Sequence, residues 1–161
     1  MERTSHIHPF APVWTPDSTV LILGTFPSVR SRKEGFYYMH PQNRFWKVMA
    51  RLYQEEPGLS IHEKTDFLHR HGIALWDSIQ SCTICGSSDA SLRDVIPNDL
   101  TALLRQTKIR RVFCNGTGSY RVYTRYQQPA TLIPSVLLPS TSAANASRSL
   151  DSLCEAWQAV L

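Results

Sequence analysis

The sequence lacks any apolar run long enough to cross a bilayer, which excludes a transmembrane helix. Cysteine is sparse: Cys82, Cys85, Cys114 and Cys154 in 161 residues do not make a disulfide framework. Residues 1–12 carry Glu2, Arg3, His6 and His8 but no apolar stretch, so no secretory signal is expected. No repeat and no linker divides the chain. Charge is modest, with 19% charged residues and 17 Lys and Arg against 13 Asp and Glu. The resulting +4 permits a polyanionic partner without requiring one. A hydrophobic content of 42% supports a globular core. The expectation is one domain over residues 1–161, cytoplasmic and reduced, outside any membrane.

Short apolar runs alternate with amphipathic segments. Residues 19–24, 73–77, 111–115 and 135–138 read as strands, each ending near Gly, Asp, Asn or Pro. Residues 43–54 carry Phe45, Trp46, Val48, Met49, Leu52 and Tyr53 at helical spacing. Ser60-Ile61-His62-Glu63 fits a capping box, and Gly72 can close the helix that it opens. Further helices are expected from Asn98 or Asp99 to about Thr107, near 120–126, and over 146–160, whereas 81–93 reads as loop. This alternation predicts an α/β fold, a three-layer α/β/α sandwich around a four-stranded parallel sheet. Such sheets bind ligands beyond the carboxyl ends of their strands. Here those ends lead into Gly24-Thr25-Phe26-Pro27-Ser28, Asp77-Ser78, Asn115-Gly116 and Pro139-Ser140-Thr141-Ser142.

The stretch from Gly24 to Trp46, read as a long loop, interleaves Arg30, Arg32 and Lys33 with Phe36, Tyr37, Tyr38 and Phe45. Cations suit phosphates and aromatic rings suit base faces, although the same residues can serve as a solvated loop and a core. Gly35-Phe-Tyr-Tyr-Met-His-Pro-Gln-Asn-Arg-Phe-Trp46 resembles a segment of the mismatch-specific uracil-DNA glycosylases. Gly24-Thr-Phe-Pro-Ser28 is similar to the opening motif of the hypoxanthine-DNA glycosylases of the same superfamily, with Thr25 for the usual Ser. Residues 72–77, 97–99, 112–116 and 138–146 extend the resemblance in order along nearly the whole chain.

The resemblance implies a repair glycosylase that hydrolyses the bond between deoxyribose and a flipped-out deaminated base in double-stranded DNA. Hypoxanthine is the leading substrate; uracil or a mispaired base is the alternative within the fold. It gives Asn43 the catalytic role, Phe45 that of stacking on the base, and Ser140, Thr141 and Ser142 that of clamping DNA. His40 would orient the loop or assist the leaving base. Asn115 is assigned to reading the base, because one amide complements a neighbouring carbonyl and N–H. Thr25 and Phe26 stand at the base where other branches carry an Asp or Asn, so no carboxylate is expected there. Ser28, Arg30, Arg32 and Lys33 are the candidate phosphate contacts. Asp77 reads as structural, and His62, His69 and His71 as surface residues.

Cys82-x-x-Cys85 lacks a second ligand pair, so neither zinc nor an iron–sulfur cluster is expected, nor any other cofactor. No lysine falls in a motif as a Schiff-base nucleophile, which points to a monofunctional hydrolase; from its size the chain is expected to act as a monomer. A nucleic-acid-binding module without catalysis, or a hydrolase of free nucleosides, are the readings from other classes.

Overall fold

The computed structural model describes residues 4–84 and 93–161. Strand β1 (Thr4–Ile7) precedes the apolar runs, which form β2 (Val20–Gly24), β3 (Ile73–Asp77), β6 (Arg111–Asn115) and β7 (Ser135–Leu138). These four pair in parallel in the order β3-β2-β6-β7. β2 lies inside the sheet and is buried at all five positions, as expected of a strand covered on both faces.

Alternation along β2 divides the interior in two. Val20 and Ile22 pack with Phe45, Phe67 and Trp157, from helices α2 (Phe45–Tyr53), α3 (Ile61–Arg70) and α7 (Leu150–Trp157). Leu21 and Leu23 pack on the other side with Leu103 of α4 (Thr101–Arg105) and with Tyr123. Tyr123 begins a π-helical turn, Tyr123–Gln127, between α5 (Thr117–Val122) and α6 (Gln128–Thr131). The expected helix–sheet–helix layering is present.

The serine half of the capping box forms: Ser60 Oγ accepts from the Glu63 amide at 3.0 Å, while Glu63 Oε1 accepts from the Ser60 hydroxyl at 2.9 Å. Gly72 has the left-handed φ of 70° expected of a helix terminator.

Two expectations need correction. Residues 81–84 are not loop. They end β4 (Ile79–Ile84), which pairs antiparallel with β1 on one side and β5 (Arg93–Pro97) on the other. Residues 85–92, including Cys85 of the C-x-x-C pair, lie outside the described residues. The stretch from Gly24 to Trp46 is not one open loop either. It contains α1 (Val29–Glu34), capped by Ser28 Oγ, which accepts from the Ser31 amide at 3.1 Å, and closed by Gly35 at φ 78°. Only Ser78 separates β3 from β4, so the chain steps from one sheet to the other at the carboxyl end of β3.

Candidate active site

The carboxyl ends of the parallel strands surround a cavity of about 120 Å³. This exceeds the roughly 30 Å³ that one water occupies in the liquid, so the cavity has room for an organic group. Gly24, Asp77 and Asn115 contribute from β2, β3 and β6; Asn43 and Thr141 contribute from the flanking loops.

Asn43 and Asn115 are joined through Thr141. The Thr141 amide donates to Asn115 Oδ1 at 3.0 Å, and Asn115 Nδ2 donates to Thr141 Oγ1 at 3.0 Å. Thr141 Oγ1 then donates to Asn43 Oδ1 at 2.8 Å, and the Phe45 amide donates to the same oxygen at 2.9 Å. A backbone N–H requires an acceptor, so these bonds fix which end of each amide is oxygen. The Asn43 oxygen is therefore engaged twice, and its Nδ2 is left as a donor at the cavity.

The expectation for Asn115 meets a different geometry. Its oxygen and nitrogen each make one bond to Thr141, clamping the loop after β7, which leaves one N–H and one lone pair of the amide for a ligand. Thr141 is fully buried. Thr141→Val removes the hydroxyl while keeping the shape and leaves buried amide groups unpaired. The variant is expected to lose about 1–3 kcal/mol of stability in urea denaturation. Asn43 keeps its bond from the Phe45 amide but loses its link through Thr141 to Asn115.

Phe45 does not line the cavity. It is fully buried, and Tyr38 stacks over it with ring centroids 4.2 Å apart and planes 26° apart. Tyr38 itself lines the cavity and holds a left-handed φ of 56°, an unusual backbone for a tyrosine. The aromatic residues that line the cavity are thus Phe26, Tyr37 and Tyr38, not Phe45. The Tyr38 hydroxyl is buried, with the Asn115 side chain beside it and no hydrogen bond of good geometry. Burial, and then the charge of Asp77, push this phenol well above its ordinary pKa, so it stays protonated.

Asp77, read from the sequence as structural, is 3% exposed and lies in the cavity wall. Its Oδ2 lies 2.8 Å from His8 Nε2. A Cβ added at Gly24 would collide with Asp77 Oδ1 and sit 3.0 Å from Tyr38 Oη. Glycine is what leaves room for both a carboxylate and a phenol beside the end of β2. No acid stands at Thr25 or Phe26, as expected, but the neighbouring strand supplies one to the same cavity. The cue in the sequence was only position: Asp77 ends an apolar strand.

Thr25, Phe26, Ser28, Ser140, Thr141 and Ser142 all line the cavity. His40 does not; it is exposed, and its Nδ1 accepts from the Gln42 amide at 3.1 Å, organising the turn that leads to Asn43. The basic run does not form one surface. Arg30 is exposed and pairs with Glu34 at 2.9 Å, Lys33 is exposed, and Arg32 stands 5.7 Å from the centroid of Phe26. Successive helical residues turn by about 100°, so Arg30 and Arg32 project on opposite sides of α1. Among the described residues no group of three or more His, Cys, Asp or Glu could hold a metal ion, and no lysine lines the cavity.

Residues 11–161 match the family description "Uracil DNA glycosylase superfamily". The chain belongs to this superfamily. Curated relatives of this glycosylase include two proteins named hypoxanthine DNA glycosylase. That of Methanosarcina acetivorans is 31% identical over 155 residues, spanning 94% of this chain and 95% of the relative. That of Methanosarcina barkeri is 30% identical over 152 residues, spanning 92% and 93%. A solution NMR structure of a Methanosarcina acetivorans protein, described as a candidate uracil DNA glycosylase, superimposes with a TM-score of 0.81 at 29% identity. It covers 94% of the glycosylase chain and 93% of its own. Among the described residues of the glycosylase no helix is long and apolar enough to cross a membrane.

Proposed function

We propose that this glycosylase removes hypoxanthine from DNA, with the whole chain acting as one domain. It meets double-stranded DNA carrying the deaminated base as a monomer in the cytoplasm. The observation that carries the reading is that one cavity holds both a fixed donor, Asn43 Nδ2, and a carboxylate acceptor, Asp77 Oδ1. Deamination of adenine turns ring position 1 from a lone pair into an N–H. A carboxylate oxygen accepts from that N–H and repels the lone pair of adenine. A flipped base enters with its far edge leading while its sugar stays at the mouth, so deep-set Asp77 meets the base rather than the attacking water. Tyr38 offers its ring for stacking.

As the bond from N9 to C1′ breaks, the base gains negative charge. The Asn43 amide donates to it, a water's oxygen bonds to C1′, and the proton that this water gives up ends, through solvent, on the base anion, leaving neutral free base and an abasic site. No lysine of the described cavity is placed to trap the sugar as a Schiff base, which supports a monofunctional hydrolase. Uracil carries the same paired carbonyl and N–H, and the hypoxanthine names of the two relatives support hypoxanthine over uracil.

The test is release of free base from matched duplexes containing deoxyinosine, deoxyuridine or deoxyadenosine, followed by chromatography. Hypoxanthine is expected to appear fastest and adenine not at all. Preferential release of uracil, or no release of hypoxanthine, would overturn the reading.

A further inference from the structure

We propose that His8 is a positioning residue that shares a single proton with Asp77, so that this carboxylate can stand beside a departing base without opposing its negative charge. The proposal rests on the reading above in which Asp77 faces the base.

The register of β1 on β4, with Ile7 opposite Ser81, delivers His8 to the end of β3, and the His8 amide bonds Gln80 O at 2.6 Å. The His8 Nδ1 lies 2.8 Å from Phe10 O and its Nε2 2.8 Å from Asp77 Oδ2. A carbonyl oxygen can only accept, so Nδ1 carries a hydrogen. A bare Nε2 facing a bare carboxylate at this distance would oppose two lone pairs, so one proton lies between them. Both side chains are 4% exposed. Phe10, Phe26 and Tyr37 surround the imidazole with ring centroids 4.7, 5.8 and 6.0 Å away.

The other ionisable groups nearby do not provide this charge. Among the described residues no lysine or arginine pairs with Asp77. Tyr37 and Tyr38 feel its charge, but both phenols are held protonated, first by burial and then by Asp77 itself. His6 and Arg32 lie against the Phe26 ring, with His6 6.5 Å and Arg32 5.7 Å from its centroid. A carboxylate without its proton would repel the anion that forms as the glycosidic bond breaks, and strongly so in a water-poor cavity. The pair Asp77–His8, counted together, is neutral. It still presents Oδ1 as an acceptor.

The test uses the full chain and a deoxyinosine duplex under single-turnover conditions. His8→Gln keeps an amide of similar reach but carries no extra proton. It is expected to slow base release by at least about tenfold, with a smaller change in KM. Adding Asp77→Asn to His8→Gln removes the uncompensated charge. The introduced glutamine side chain can then donate to Phe10 O and accept from the introduced asparagine amide, whose own oxygen is left for the cavity. The double variant is expected to recover rate over His8→Gln, which a merely structural role for His8 would not give.

The wild-type protein should also show a strongly downfield proton resonance from the pair, absent in His8→Gln. This measurement stands even if a variant fails to fold. Equal rates for wild type and His8→Gln, a double variant no faster than the single one, or no downfield resonance would each overturn the proposal. Failure of wild type to release hypoxanthine would instead strike at the substrate, because the resonance is read without DNA.

Discussion

Asn43→Asp is expected to slow base release by about 10²- to 10³-fold while leaving the fold intact. The two residues have nearly the same shape. Aspartate retains the oxygen that accepts from the Phe45 amide and from Thr141 Oγ1. What disappears is the Nδ2 donor, and what arrives is a negative charge beside a base that is itself becoming negative. The loss should therefore fall on the chemical step and not on stability. Single-turnover excision together with thermal unfolding separates the two. A rate within a fewfold of wild type would remove Asn43 from the mechanism. Asn43→Ala is a less clean probe, because it also strips the start of α2 of its side-chain acceptor, worth about 0.5–2 kcal/mol at such positions.

Gly24→Ala is the second large effect, and it acts through space alone. The added methyl would run into Asp77 Oδ1 and crowd Tyr38 Oη, both from residues that line the cavity. Either carboxylate or ring must move. Displacements of about 1 Å at a reacting site can cost 10²-fold in rate, and a loss of that order is expected here. Gly24 is not among the positive-φ glycines, so the backbone tolerates alanine and the variant should fold. Undiminished excision of hypoxanthine would mean that the placement of Asp77 and Tyr38 does not matter to base release.

The parallel core was legible because burial on both faces forces continuous apolar runs such as Val20–Gly24, and these stand out from their surroundings. The second sheet was not. β1 and β4 are short and polar, and they pair Thr4 with Ile84 and Ile7 with Ser81, a relation that no local pattern records. Helix α1 was hidden by its length of six residues, although Ser28 and Gly35 marked both ends.

At the site, the motif from Tyr37 to Trp46 supplies Tyr38 and Asn43 to the cavity lining, whereas Phe45 is buried beneath Tyr38, an order that the left-handed turn at Tyr38 accompanies and no local pattern records. Asn115 ends its strand as expected, yet its partner Thr141 lies 26 positions away, so their mutual bonds could not be read locally. The meeting of His8 with Asp77 joins residues 69 apart, so neither could be recognised alone.

The strand at the amino end has a consequence for how the protein is made. Thr4–Ile7 leaves the ribosome well before its partner Ser81–Ile84. A nascent glycosylase must therefore keep this polar segment unpaired until that partner has emerged. His8 reaches its station only then, so the cavity is completed by a segment made before most of its other walls.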